Sequence, residues 1–184
     1  LDQDGWTQLA NLQGKINGAP LFIDDSPNMT LMEIRAKCRR LKQRHELKMV
    51  VLAYLQLMSS GKKVESRQQE VSEFSRILKL WAKELDVPVS ALSQLNRGSE
   101  QRTDKRPMVS DLRESGSIEQ DADMVILLHR EDMYNPDTDR VGEADMMIAK
   151  HRGGPTRTIP LAFSGKYSRF ANMAFSDAPP QYEG

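Results

Sequence analysis

The chain has 184 residues, 39% of them hydrophobic, enough for one compact α/β domain with a sizeable core but not for two. Lys+Arg and Asp+Glu both number 26, so the formal net charge is zero and no whole-protein field draws in nucleic acid or membrane. The single cysteine, Cys38, excludes an internal disulfide. The longest apolar run, Met49 to Met58, is too short to span a bilayer and is broken by Gln56. No signal peptide is visible, and an intracellular, cytoplasmic protein without a membrane segment is the expectation. The start at Leu1, without methionine, suggests a fragment or processed segment.

Residues Trp6 to Ile16 have mixed helical character. The run Pro20-Leu21-Phe22-Ile23, ending in Asp24-Asp25, reads as a buried strand emerging into a turn. Thr30 followed by Glu33 is a capping box, and Leu31, Ile34, Cys38 and Leu41 recur at helical spacing, which predicts a helix to about His45. Arg35, Lys37, Arg39, Arg40, Lys42, Arg44 and Lys48 stand along this segment against Glu46 alone, a pattern that reads as a solvated helix face. Met49 to Leu55 reads as a fully buried strand. From Ser66 to Leu85 the residues Val71, Phe74, Leu78, Trp81 and Leu85 form the stripe of a long amphipathic helix, and Val87 to Leu92 follows as a strand. Strands alternating with helices imply parallel pairing with right-handed crossovers, as in a doubly wound sheet. Beyond a long charged connection, Met124 to His129, Ala144 to Ala149, Thr158 to Phe163 and Ser168 to Met173 read as strands joined by short connections, hence antiparallel. The tail from Ser176 to Gly184 is polar, contains two prolines and is expected not to pack.

In open α/β sheets ligands bind beyond the carboxyl ends of the strands. Asp24-Asp25, Ala53-Tyr54, Ser93-Gln94 and Lys150 to Arg152 are the candidates. In phosphate-handling sheets, a strand like Met49 to Ala53 ends in an acid for magnesium. Ala53 has no oxygen to offer a cation. Asp24 ends a similar run, but an Asx turn accounts for it more simply. No G-x-x-x-x-G-K-S/T loop occurs: neither Gly61-Lys62 nor Gly165-Lys166 has the preceding glycine and following hydroxyl.

YLQLM at Tyr54 to Met58, SRQQEVSEFSRILKLWAKEL at Ser66 to Leu85, SQLNR at Ser93 to Arg97, DLRESGSIEQDAD at Asp111 to Asp123 and AKHRGGPT at Ala149 to Thr156 closely resemble the C-terminal motor of the bacterial replicative helicase family DnaB. The matching segments cover nearly the whole chain, in order. The resemblance implies a RecA-like sheet with a parallel βαβ half and an antiparallel C-terminal extension, spanning residues 1–175 and followed by a flexible tail at 176–184. It also implies a hexameric ring that consumes ATP with Mg2+ and translocates 5′ to 3′ on single-stranded DNA, with primase and a helicase loader as partners. The chain is expected to begin downstream of the phosphate loop and of the catalytic glutamate. Ala53 stands where the family has the acid that holds magnesium through water, so this chain by itself is expected to be inactive and to bind no cofactor.

Residue by residue, Gln94 resembles the γ-phosphate sensor, whose amide can donate to a phosphate oxygen and accept elsewhere. Lys150 and Arg152 resemble the pair inserted into a neighbouring subunit's nucleotide site, Arg152 as the arginine finger. Alternation along a strand puts both on one face, with His151 on the other. Arg113, Glu114 and Gly116 resemble the loop that holds the DNA backbone, and Arg97 is a further DNA-binding candidate. For Arg97, Arg102, Lys105 and Arg106, interleaved with Glu100 and Asp104, a solvated loop is the competing reading. No aromatic residue lies between Ser93 and Arg130, so base stacking is not expected to supply the grip. Two other functions stay open: a non-hydrolysing ring-assembly or DNA-binding module, and a recombination ATPase on the same sheet. The order of SQLNR, RESG and KHRGGPT favours the helicase over the latter.

Overall fold

The computed structural model describes residues 2–27, 29–58, 67–112 and 116–173. Helix α1 spans Gln3–Asn17; its first turn is capped by Asp2, which accepts from the Gly5 N–H at 2.8 Å, and none of its residues is buried. Helix α2 spans Leu31–His45. Its capping box forms as predicted: Glu33 N donates to the Thr30 hydroxyl at 3.3 Å, and Thr30 N donates to the Glu33 carboxylate at 2.8 Å. These bonds satisfy backbone donors that the first helical turn leaves without partners. The α2 cations are largely occupied: Arg35 and Arg39 both pair with Glu84, and Lys37 pairs with Asp24.

Strand β1, Val50–Leu52, lies parallel to β2, Val89–Ala91, in the register Val50 to Val89 and Leu52 to Ala91. Helix α3, Arg67–Leu85, connects them. Its predicted stripe is the core: Val71, Phe74, Leu78, Trp81 and Leu85 are all buried, together with Leu31, Ile34 and Cys38 of α2. After the long connection, α4, Gly116–Asp121, leads into β3, Met124–His129. Then β4, Glu143–His151, β5, Arg157–Ser164, and β6, Arg169–Asn172, complete an antiparallel sheet in sequential order. Val125 and Leu127 of β3 face the shared core, while Met124, Ile126 and Leu128 are exposed, as a period of two dictates. The turn into β4 uses Gly142 at φ +75, a backbone conformation that suits glycine.

Three expectations are corrected. Leu21 to Ile23 form no strand and are exposed; Leu21 N donates to the Ala19 carbonyl, and Phe22 tilts against His45 with ring centroids 4.8 Å apart. Among the described residues no neighbouring strand pairs with this run, and an apolar tetrapeptide becomes a buried strand only when a sheet receives it. The strand expected at Met49 to Leu55 is shorter and only half-buried, with Val51 exposed, because a two-stranded sheet covers just one of its faces. The parallel and antiparallel halves form two hydrogen-bonded sheets rather than one continuous sheet, joined through side chains of a common core. The α/β architecture with a parallel βαβ half and an antiparallel extension is otherwise as expected. The tail at 176–184 lies outside the described residues.

Candidate functional site

Two groups of sequence-selected residues stand at opposite ends of the strands. At the carboxyl ends of β1 and β2 are Ala53 and Gln94, both exposed. Gln56, which the sequence reading passed over inside YLQLM, ties the two strand exits together. Its amide donates to the Ser93 hydroxyl at 2.9 Å and to the Gln94 carbonyl at 3.4 Å, and its Oε1 accepts from Gln94 N at 3.2 Å. Gln56 therefore holds the backbone of Gln94, whose side chain is left exposed. An amide four residues after a strand end is the signal that marks Gln56. Ala53 presents a methyl group beside this tip, and among the described residues no cluster of His, Cys, Asp or Glu is placed to hold a metal ion. A magnesium ion does not fit the residues at the end of β1.

Lys150 and Arg152 share one face at the end of β4, as alternation predicted. Both converge on the last carbonyls of α4. Lys150 Nζ donates to the carbonyls of Glu119 and Gln120, the latter at 3.3 Å, and Arg152 Nη2 donates to Gln120 at 3.2 Å. Cations complement the negative end of a helix, which orients both side chains. Arg152 N also donates to the Asp123 carbonyl at 2.8 Å, and its guanidinium lies 3.5 Å from the Asp123 carboxylate. Lys79 pairs with the same carboxylate, and this hydrogen bond, reinforced by the charges of Arg152 and Lys150, holds Asp123 below the usual carboxylate range. Beside them an open groove of about 420 Å³ is lined by Lys79, Lys83, Asp86, Pro88 and Asp123, at the amino ends of β2 and β3. Within one chain, then, Gln94 and the Lys150–Arg152 pair do not meet.

The charged connection is more internally bonded than its composition suggests. Arg102 chelates Asp111, Arg106 lies 3.0 Å from Asp145, and Lys105 sits 5.5 Å over the Tyr134 ring. Among the four cations, the solvated-loop reading fails for Arg102 and Arg106, which are used inside the fold; Arg97 is exposed. Gly116 opens α4. Arg113 and Glu114 lie outside the described residues.

A parallel βαβ unit with an amide at its strand exit, extended by an antiparallel sheet that carries a cation pair at the far end, defines the α/β class of this domain. Its solved neighbours have the same form. One of them, an ATPase domain, superposes with a TM-score of 0.89 at 42% identity, covering 94% of this chain and 61% of that one. A second, of a DnaB-like replicative helicase and its interactions with primase, gives 0.89 at 41% identity, covering 95% and 42%. The chain belongs to the DnaB-like helicase C-terminal domain family, which it matches over residues 1–172. It is 72% identical over 174 residues to the replicative DNA helicase DnaB of Leifsonia xyli subsp. xyli, covering 95% of this chain and 38% of the relative. The corresponding protein of Mycobacterium intracellulare is 67% identical, with 95% and 30% covered, and that of Geobacillus stearothermophilus 53%, with 94% and 38%. The chain thus spans less than two-fifths of the length of these relatives.

Proposed function

We propose that this chain is the C-terminal part of the motor of a hexameric, ATP-dependent replicative DNA helicase, which moves 5′ to 3′ along single-stranded DNA and separates the duplex at the fork. Residues 1–175 form the partial motor domain. The observation that carries this reading is the separation of Gln94 from Lys150 and Arg152 at opposite ends of the strands. One chain cannot bring both to one phosphate. Two neighbours in a ring can: Gln94 of one subunit and the cation pair of the next close on the same nucleotide. An ATP bound between subunits supplies the phosphoryl group. This chain's residues supply a hydrogen bond from the Gln94 amide, and positive charge where negative charge develops on the phosphate oxygens. A planar guanidinium such as that of Arg152 bridges two such oxygens.

The loop of Arg113, Glu114 and Gly116, with the exposed Arg97, holds single-stranded DNA through arginine side chains and backbone N–H groups that contact phosphates without reading bases, as translocation demands. The solved neighbour described with its primase interactions supports primase as a partner, and the same proposal includes a helicase loader. The protein works in the cytoplasm; among the described residues no helix is long and apolar enough to cross a membrane. Ala53 favours a second reading, a ring subunit that assembles and binds DNA but does not hydrolyse ATP.

Mixed rings separate these readings. In the full-length protein with Ala53→Asp, Gln94→Ala and Arg152→Ala should each abolish ATP turnover. Mixing the two variants should restore part of it, because some interfaces then pair an intact Gln94 with an intact Arg152. Mixed rings that assemble but recover nothing would refute sharing between subunits. If Ala53→Asp yields no turnover even without a second substitution, the non-hydrolysing module is the correct reading.

A further inference from the structure

Within the connection from β2 to α4, a loop leaves just after Gln94 and returns just before Arg113. The two ends are fastened to each other. Leu95 and Leu112 form an isolated antiparallel bridge, and Asn96 N donates to the Asp111 carbonyl at 2.7 Å. The residue before this bridge is the proposed sensor, and the residue after it begins the proposed DNA loop.

What fixes the register of the bridge is a buried ion pair. Asp111 is only 4% exposed. Its Oδ1 accepts from Arg102 Nη1 at 3.0 Å, while its Oδ2 accepts from Arg102 Nη2 and from Met108 N, the latter at 2.7 Å. The same Nη2 donates to the Arg106 carbonyl at 2.7 Å. The guanidinium and the carboxylate between them gather Arg102, Arg106 and Met108 beside Leu112. Asn96 closes the outgoing side by accepting from Gly98 N at 2.8 Å, and a Cβ at Gly98 would lie 2.8 Å from that same Asn96 oxygen. Arg102 Nε is buried without a hydrogen-bond partner among the described residues. A group held with an unsatisfied donor is kept there by its other bonds, here the two-point grip on Asp111 that only a guanidinium fork can make. Arg102 is thus not a DNA-facing cation.

We infer that Arg102 and Asp111 are a positioning pair that transmits nucleotide state from Gln94, across the Leu95–Leu112 bridge, to the DNA-holding residues that begin at Arg113. Neither touches nucleotide or DNA; they keep the two sides of the bridge moving as one body. The inference rests on the proposed roles of Gln94 and Arg113.

The test measures coupling rather than activity. In the full-length protein, the Kd for fluorescein-labelled oligo-dT is measured with and without a non-hydrolysable ATP analogue, and the ratio of the two is the coupling. Arg102→Lys keeps the charge but loses the fork; Asp111→Asn keeps the shape but loses the charge. Each should leave the nucleotide-free Kd within about threefold of wild type while the ratio falls at least tenfold toward one. A purely structural pair would weaken binding with and without nucleotide alike and leave the ratio in place. That result, or an unchanged ratio in Arg102→Lys, overturns the inference; should Asp111→Asn not fold, Arg102→Lys decides alone. Gln94→Ala separates this inference from the reading beneath it. If Gln94→Ala abolishes coupling and Arg102→Lys does not, the sensor stands and the pair falls. If Arg102→Lys abolishes coupling and Gln94→Ala does not, the pair stands and Gln94 is not the sensor.

Discussion

Asp145→Ala should be among the more damaging single changes outside the apolar core. Asp145 is 3% exposed, and its carboxylate accepts from Arg140 Nη1 at 3.0 Å and Nη2 at 2.6 Å, with Arg106 Nη2 3.0 Å away. It thereby fastens the long connection to β4, the strand that carries Lys150 near its end. Removing one member of a buried ion pair costs about 3–5 kcal/mol when the orphaned charge stays buried. The two arginine side chains here keep 33% and 38% of their exposure and can turn toward water, which relieves part of that penalty. The expected loss is therefore about 2–3 kcal/mol, below the fully buried range. For a chain of this length each kcal/mol lowers Tm by about 2–4 °C, which gives a drop of about 4–12 °C. Urea unfolding followed by the fluorescence of buried Trp81 measures the loss, and calorimetry the Tm. Asp24→Ala, which breaks the exposed pair with Lys37, serves as a control that should not move the midpoint. A loss below about 1 kcal/mol for Asp145→Ala would show that the pair is not effectively buried, and the reasoning would fail.

Thr30→Ala removes the hydroxyl half of the capping box and should cost about 1 kcal/mol in the same assay, with Thr30→Ser recovering most of it. His129 is held below its ordinary value by burial and then by the Arg106 charge, so the unfolded chain takes up the proton first as pH falls. Stability should decline between about pH 7 and 5, and His129→Gln should flatten that step; a midpoint that rises over this interval refutes the assignment. The carboxyls of Asp111, Asp123, Asp132 and Asp145 are held low mainly by Arg102, Lys79, Arg130 and Arg140 respectively, so a second loss of stability should follow below about pH 4. Arg152→Ala should change stability by less than about 1 kcal/mol, because its ion pair with Asp123 is exposed. This chain alone should show negligible ATP hydrolysis, and turnover that survives the loss of both Lys150 and Arg152 would remove them from the site.

The parts of the fold that were legible are those governed by neighbours three or four residues away, or by strict alternation. Thr30 with Glu33 started α2 where expected, the Val71 to Leu85 stripe is the buried face of α3, and Lys150 and Arg152 share a face. The motifs also sufficed to indicate the family. The run at Leu21 to Ile23 carried the same local signal as a strand, yet no sheet edge receives it.

By itself the sequence determined helix starts, strand periodicity and the methyl group at position 53, because each is written within a few consecutive residues. Only the tertiary structure decided which charges are bonded inside the fold and which stay exposed. Arg102 and Arg106 read like Arg97 in a basic loop, but the fold sets them against Asp111 and Asp145, and Asp145 lies far along the chain from Arg106. It also decided that Gln94 and the Lys150–Arg152 pair stand at opposite ends of the strands. The physical reason is that a charge's role depends on the partner and the solvent it meets after folding, and those are set by chain crossings that local spacing does not encode.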